Sequence, residues 1–153
     1  MRRILFPGSF DPFTIGHFSI VGRALTMFDE VIIAVGINEH KPGWLTPEER
    51  VTALRNLYYN EPRVSVETYT GLTTDFATAI GAQAILRGIR SVQDFDYELS
   101  MADVNRQLTG IETVCLFTLP HLAAISSSVV RELAHFQHDI TPYLPHGYVI
   151  NKR

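Results

Sequence analysis

With one cysteine among 153 residues, the chain has no intrachain disulfide framework to fold around. That residue, Cys115, sits in the apolar run Val114–Phe117, so it is expected as a small buried hydrophobe and not as a catalytic thiol. Lysine is nearly as scarce: of 13 basic residues only Lys41 and Lys152 are lysines, and the rest are arginine. Charge of neither sign accumulates. The formal net charge is −3 and the isoelectric point about 6.0, which excludes the broad basic footprint of a nucleic-acid-binding protein and requires any anion site to be local. Met1-Arg2-Arg3 leads straight into a core-like strand, and no apolar run is long enough for a signal peptide or a membrane span. A soluble, cytoplasmic protein without a membrane partner is the expectation.

What is present is a 46% apolar chain with a mean hydropathy of +0.07, suited to one compact domain over residues 1–153. Apolar runs at Ile4–Phe6, Val31–Ile37, Val64–Val66, Ala84–Leu86 and Val114–Leu119 read as strands. Helical spacing separates several of them. A first helix is expected over Gly16–Phe28, burying Ile20, Val21, Ala24, Leu25 and Phe28. Thr46-Pro47-Glu48-Glu49 opens a second, with a capping threonine, proline in the first turn and a glutamate closing the box, continuing to about Tyr59. Others are expected over Thr74–Ile80, from Asp94 to about Leu108 with Phe95, Leu99, Ala102 and Val104 buried, and from the serines at 126–128 onward through Val129, Val130, Leu133 and Ala134. His138–Arg153 is proline-rich and stays unplaced. Strands alternating with helices give an α/β fold: a single-domain, Rossmann-like, doubly wound parallel sheet with helices on both faces.

In such sheets ligands gather outside the carboxyl ends of the strands, and the informative polar residues all fall there. Gly8-Ser9-Phe10-Asp11-Pro12-Phe13-Thr14-Ile15-Gly16-His17 joins the first strand to the first helix. Its glycines let backbone approach a ligand, its prolines restrict the turn, and the helix start offers free N–H groups and partial positive charge to an anion. Arg87-Gly88-Ile89-Arg90 follows the fourth strand. Two arginines alone are usually a solvated pair, but beside Gly88 at this edge they suit a clamp on phosphate oxygens. Ser126-Ser127-Ser128, with Arg131 one turn on, is either a flexible turn or a hydroxyl-rich anion cradle at another helix start. Asn38–Lys41 follows the second strand.

Asp94, Asp96, Glu98 and Asp103 read mostly as solvated or capping; Glu98 is the candidate acceptor for ribose or adenine donors. His135 and His138 have a helical metal spacing but no third ligand, so no metal-binding residue is assigned. His40, His121 and His146 carry no assignment, and no Ser/His/Asp set is evident.

Taken together, Pro7–Pro12, Thr14-Ile15-Gly16-His17, Thr46-Pro47-Glu48-Glu49-Arg50, Arg87–Arg90, Asp94-Phe95-Asp96-Tyr97-Glu98 and Ile125–Ser128 closely resemble the bacterial phosphopantetheine adenylyltransferases. These belong to the nucleotidyltransferase superfamily marked by Thr-x-Gly-His or His-x-Gly-His. The resemblance implies one nucleotidyltransferase domain that moves AMP from ATP to 4′-phosphopantetheine with Mg2+, the ion held mainly by the ATP phosphates. By position it implies His17, Lys41 and Arg90 as catalytic groups, and Ser9, Lys41, Thr73 and Arg87 on the acceptor side. It implies Ser9, Phe10, His17, Gly88, Ile89, Arg90, Glu98 and Leu122-Ala123-Ala124-Ile125-Ser126-Ser127-Ser128 on the ATP side. A homohexamer open to inhibition by coenzyme A is also implied. Other cytidylyl- or adenylyltransferases of the superfamily share the first loop, and a non-catalytic nucleotide-binding module needs only the glycine turn and the helix dipole.

Overall fold

The computed structural model describes residues 1–151; Lys152 lies outside them. Five parallel strands form one sheet: β1 (Arg3–Gly8), β2 (Glu30–Gly36), β3 (Val64–Tyr69), β4 (Ala84–Ile89) and β5 (Glu112–Phe117), in the order β3-β2-β1-β4-β5. The helices are α1 (Ile15–Ala24), α2 (Pro47–Leu57), α3 (Thr73–Ala79), α4 (Val92–Thr109) and α5 (Ser127–His135). Among the described residues, no helix is long and apolar enough to cross a membrane.

Period-two alternation along the central strands splits the core in two. Ile4, Phe6, Ile33, Val35 and Leu86 face α1 and α2, meeting Ile20, Val21, Val51 and Leu54. Leu5, Ile32, Ala34 and Ile85 face the other way, toward Ala77, Phe76 and Ile111. The expected cap of α2 is present: the Thr46 hydroxyl accepts from the Glu49 N–H while the Glu49 carboxylate accepts from the Thr46 N–H. α4 begins at Val92, two residues before the expected start, with Ser91 capping it by accepting from the Asp94 N–H, and Gly110 at φ 76° ends it.

Two expectations need correction. Phe95, Leu99 and Val104 are exposed, and Ala102 is only half-buried, because α4 turns its polar face toward the rest of the molecule and buries Glu98 instead. Cys115 is exposed, since β5 is an edge strand with one face uncovered. The stretch after His138, left unplaced above, folds back so that Tyr148 is buried against Phe13.

The chain leaves β1 toward β2 and β3 on one side, then returns to add β4 and β5 on the other, so strand order reverses between β1 and β4. These two strands pair only at Ile4–Ala84 and Leu5–Ile85, whereas β1 follows β2 as far as Gly8 and β4 follows β5 as far as Ile89. Pro7, which has no N–H to give a ladder, follows the point of separation. Beyond it Arg87 Nη1 donates to the Pro7 carbonyl at 3.0 Å, a side chain standing where a neighbouring strand would have been. The parting opens the carboxyl edge of the sheet into a cleft.

Leu54 has no exposed surface and joins α2 to this core. Leu54→Ala is expected to lower unfolding free energy by about 2–5 kcal/mol in urea titration, the range for truncating a buried leucine. A loss well under 1 kcal/mol would mean that the helix repacks over the gap.

Candidate active site

The cleft at the parting of β1 and β4 encloses about 380 Å3. Its walls are the loop after β1 (Gly8, Ser9, Phe10, Thr14), the start of α1 (Gly16, His17), the end of β4 (Arg87, Gly88, Arg90) and the start of α5 (Ser126, Ser127, Ser128, Arg131).

The loop from Ser9 to Thr14 has no regular structure of its own and is held from outside. Arg50 Nη1 donates to the Ser9 carbonyl at 2.8 Å, Arg131 Nη1 to that of Asp11 at 2.8 Å, and Ser127 Oγ to that of Pro12 at 2.7 Å. The Tyr148 hydroxyl accepts from the Phe13 N–H at 3.2 Å. Phe10, at φ 48°, folds its ring back over Gly8, where an added Cβ would lie 2.9 Å from the ring; only glycine fits beneath it.

Thr14 caps α1, and His17 occupies the position where a capping box normally carries glutamate or glutamine. The His17 Nδ1 accepts from the Thr14 N–H at 3.0 Å, and the His17 N–H donates back to Thr14 Oγ1 at 3.4 Å. Because Nδ1 is an acceptor, the proton of the neutral ring sits on Nε2, which becomes the donor available to the cleft. The ring is seated against Phe10 and Phe13, with centroids 5.2 and 5.3 Å away. Burial among these rings, then the positive charges of Arg90 and Arg87, lower its pKa to about 4.

Arg87 Nε and Nη2 both donate to Glu98 Oε1, at 2.9 and 2.7 Å, and the carboxylate is largely buried. Arg90 is tied to Asp94, whose carboxylate also accepts from the Arg90 N–H. Each guanidinium is thus aimed by a carboxylate from α4.

Of the residues expected at the site, Ser9, Phe10, His17, Arg87, Gly88, Arg90, Glu98 and Ile125–Ser128 line this cleft. Ile89 and Leu122 are buried with their side chains in the core, and Ala123 and Ala124 lie in the turn before Ile125 without lining the cleft. Thr73 borders an adjoining pocket of about 200 Å3 under α4, its hydroxyl 2.9 Å from that of Tyr69. Lys41 is exposed and lines neither space; its neighbours Asn38, Glu39 and His40 border a more open depression that shares Ser9 and Arg87 with the main cleft. Arg87 therefore forms a common wall.

The pocket under α4 holds residues that sequence reasoning missed: Tyr97, Met101 and Asn105, with the buried hydroxyls of Thr74 and Thr113, which have no hydrogen-bond partner among the described residues. The signal was there in the spacing 97, 98, 101, 102, 105, which marks one face of a helix.

The cytidylyltransferase-like family model matches residues 5–133. A phosphopantetheine adenylyltransferase of Phocaeicola vulgatus is 57% identical over 151 residues, covering 99% of this chain and all of the relative. This chain belongs to the phosphopantetheine adenylyltransferase family. A phosphopantetheine adenylyltransferase of Bacteroides thetaiotaomicron is 54% identical over the same span. The fold extends beyond the adenylyltransferases of this family. A bifunctional NMN adenylyltransferase/ADP ribose pyrophosphatase from Francisella tularensis superposes with a TM-score of 0.70 at 15% identity, over 94% of this chain and 44% of that one.

The depressed pKa of His17 has a signed consequence. Above pH 6.5 the ring is neutral in folded and unfolded chains alike; between 6.5 and about 4 the unfolded chain takes a proton that the folded one refuses. Stability therefore falls as pH drops through that window and the effect levels off below it. His17→Gln keeps an acceptor for the Thr14 N–H but cannot titrate, so its urea midpoint should fall less than the wild type's across this range. Parallel curves would refute the neutral, capping imidazole.

Proposed function

We propose that this protein transfers the adenylyl group of ATP to the phosphate of 4′-phosphopantetheine, yielding dephospho-coenzyme A and pyrophosphate in coenzyme A synthesis. The observation that carries the reading is the single cleft where His17, Arg87, Arg90 and the first turn of α5 converge, in a chain 57% identical to a phosphopantetheine adenylyltransferase along its whole length.

A phosphate oxygen of the acceptor bonds to the α-phosphorus of ATP while the bond from that phosphorus to the α,β-bridging oxygen breaks, and the electron pair leaves with pyrophosphate. The obstacle is repulsion between two anions, so the protein's part is to hold them in line and stabilise the equatorial oxygens. The Nε2–H of His17 is a donor whose geometry is set before substrate arrives, which suits it to the developing charge. Arg90, Arg131 and the serine-lined start of α5 suit the nucleotide phosphates. Arg87, between the two spaces, suits the acceptor phosphate, with Ser9 beside it and Lys41 brought in from the second loop. The pocket under α4, with Met101 beside Asn105 and two unsatisfied hydroxyls, suits an arm of alternating amides and methylenes.

The side chains do not fit a protein-held cation. Among the described residues no three His, Cys, Asp or Glu side chains cluster, and Asp94 and Glu98 are each engaged by an arginine. Mg2+ in this reading arrives on the nucleotide phosphates.

The reading extends to a cytoplasmic location, competition by coenzyme A for the shared cleft, and a homohexameric assembly. Assembly is supported by Val92, Phe95, Leu99, Val104 and Leu108, all exposed on α4, and by Phe117, 71% exposed on the edge strand, more apolar surface than a lone domain usually shows.

Pyrophosphate release from ATP and Mg2+ is expected with 4′-phosphopantetheine and not with nicotinamide mononucleotide; the reverse pattern would overturn the acceptor. His17→Ala should lower kcat roughly 10²–10³-fold with smaller change in ATP binding, the scale for losing one preorganised donor. Lys41→Ala should impair use of phosphopantetheine more than ATP binding, and unchanged kcat and KM would return Lys41 to the solvated surface. Light scattering on the intact protein should give the mass of six chains, and Leu99→Arg should reduce it.

A further inference from the structure

Asp11 is 8% exposed and lies in the anion-binding loop, yet its carboxylate does not line the cleft. Instead Oδ1 accepts from the Leu45 N–H at 2.7 Å and Oδ2 from the Trp44 N–H at 2.8 Å. Both donors belong to the segment between β2 and α2 that carries Lys41. Gly43 completes the contact: a Cβ there would stand 2.8 Å from the Leu45 carbonyl oxygen and 3.0 Å from Asp11 Oδ2, so the segment lies against the carboxylate with no room between. Arg50, from the same segment's continuation into α2, holds the Ser9 carbonyl.

We propose that Asp11 is a positioning residue that registers the Lys41 segment against the anion-binding loop, so that the acceptor-side cation and the nucleotide-side donors are held at a fixed separation. The inference rests on the acceptor-side reading of Lys41. A carboxylate suits the task because two backbone N–H groups need two acceptor atoms, and an amide supplies only one. Misplacement by about 1 Å is costly in an in-line transfer. Lys41 itself is exposed and makes no side-chain hydrogen bond among the described residues, so its placement depends on where its segment is anchored.

The test is a double-mutant cycle on the intact enzyme, with Asp11→Asn, Lys41→Ala and their combination, measuring kcat/KM for phosphopantetheine and, separately, Kd for ATP. Asp11→Asn should lower kcat/KM for phosphopantetheine about 10-fold or more while ATP Kd stays within about 2-fold. Lys41→Ala should then cost much less in the Asp11→Asn background than in the wild type. Gly43→Ala, which displaces the segment while leaving the carboxylate in place, should reproduce the acceptor-selective loss and guards against a variant that merely folds poorly. Additive losses, or an equal loss of ATP affinity in Asp11→Asn, would overturn the positioning role. If Lys41→Ala alone leaves phosphopantetheine turnover unchanged, the acceptor-side reading of Lys41 fails first, and the role proposed for Asp11 falls with it.

Discussion

The carbonyl oxygens of Ser9, Asp11 and Pro12 are held by Arg50, Arg131 and Ser127, three side chains from two helices on either side of the loop. An irregular loop keeps its shape only if its polar backbone groups find partners, and here the partners are charged or buried enough to hold against water. Everything the cleft can do to an anion depends on this restraint. The Thr14 cap, the tautomer of His17 and the ring of Phe10 over Gly8 are all set by where this backbone lies.

The electrostatics are arranged locally within a chain that is acidic overall. Two arginines enter the cleft already paired with Glu98 and Asp94, which reduces the cost of bringing like charges together and fixes the direction of each guanidinium. The Arg90–Asp94 pair is substantially exposed and so aims the side chain more than it stabilises the fold. Burial among the aromatic rings, reinforced by the field of the two arginines, keeps His17 neutral, and it donates through a single nitrogen. Arg87 has a further part, since its contacts with Glu98 and the Pro7 carbonyl make it the partition between the nucleotide space and the acceptor space.

The strands, the winding of the sheet and the cap of α2 were legible in the sequence because short-range patterns carry them: apolar runs, helical spacing, a threonine three residues before a glutamate. Convergence of the first loop, Arg87–Arg90 and the triple serine was legible because strand edges gather ligands in this architecture. Residues whose role depends on distant partners were not. Apolar residues surround α4, so periodicity could not tell which face is inward, and the buried face proved to be the polar one. Cys115 was misread because an edge strand and a central strand have the same composition over six residues. Asp11, Arg50 and Tyr148 act on backbone groups 33 to 135 residues away, and no local spacing announces such contacts.

Tyr148 also makes the loop depend on a stretch of chain far from it in sequence. A nascent chain that has emerged only to residue 140 already contains every side chain lining the main cleft, but lacks the hydroxyl that receives the Phe13 N–H and the ring that packs beside Phe13. Domains generally fold as units. The anion-binding loop is therefore completed by a residue 135 positions further along the chain, and the cleft has its full set of supports only once the segment carrying Tyr148 has docked.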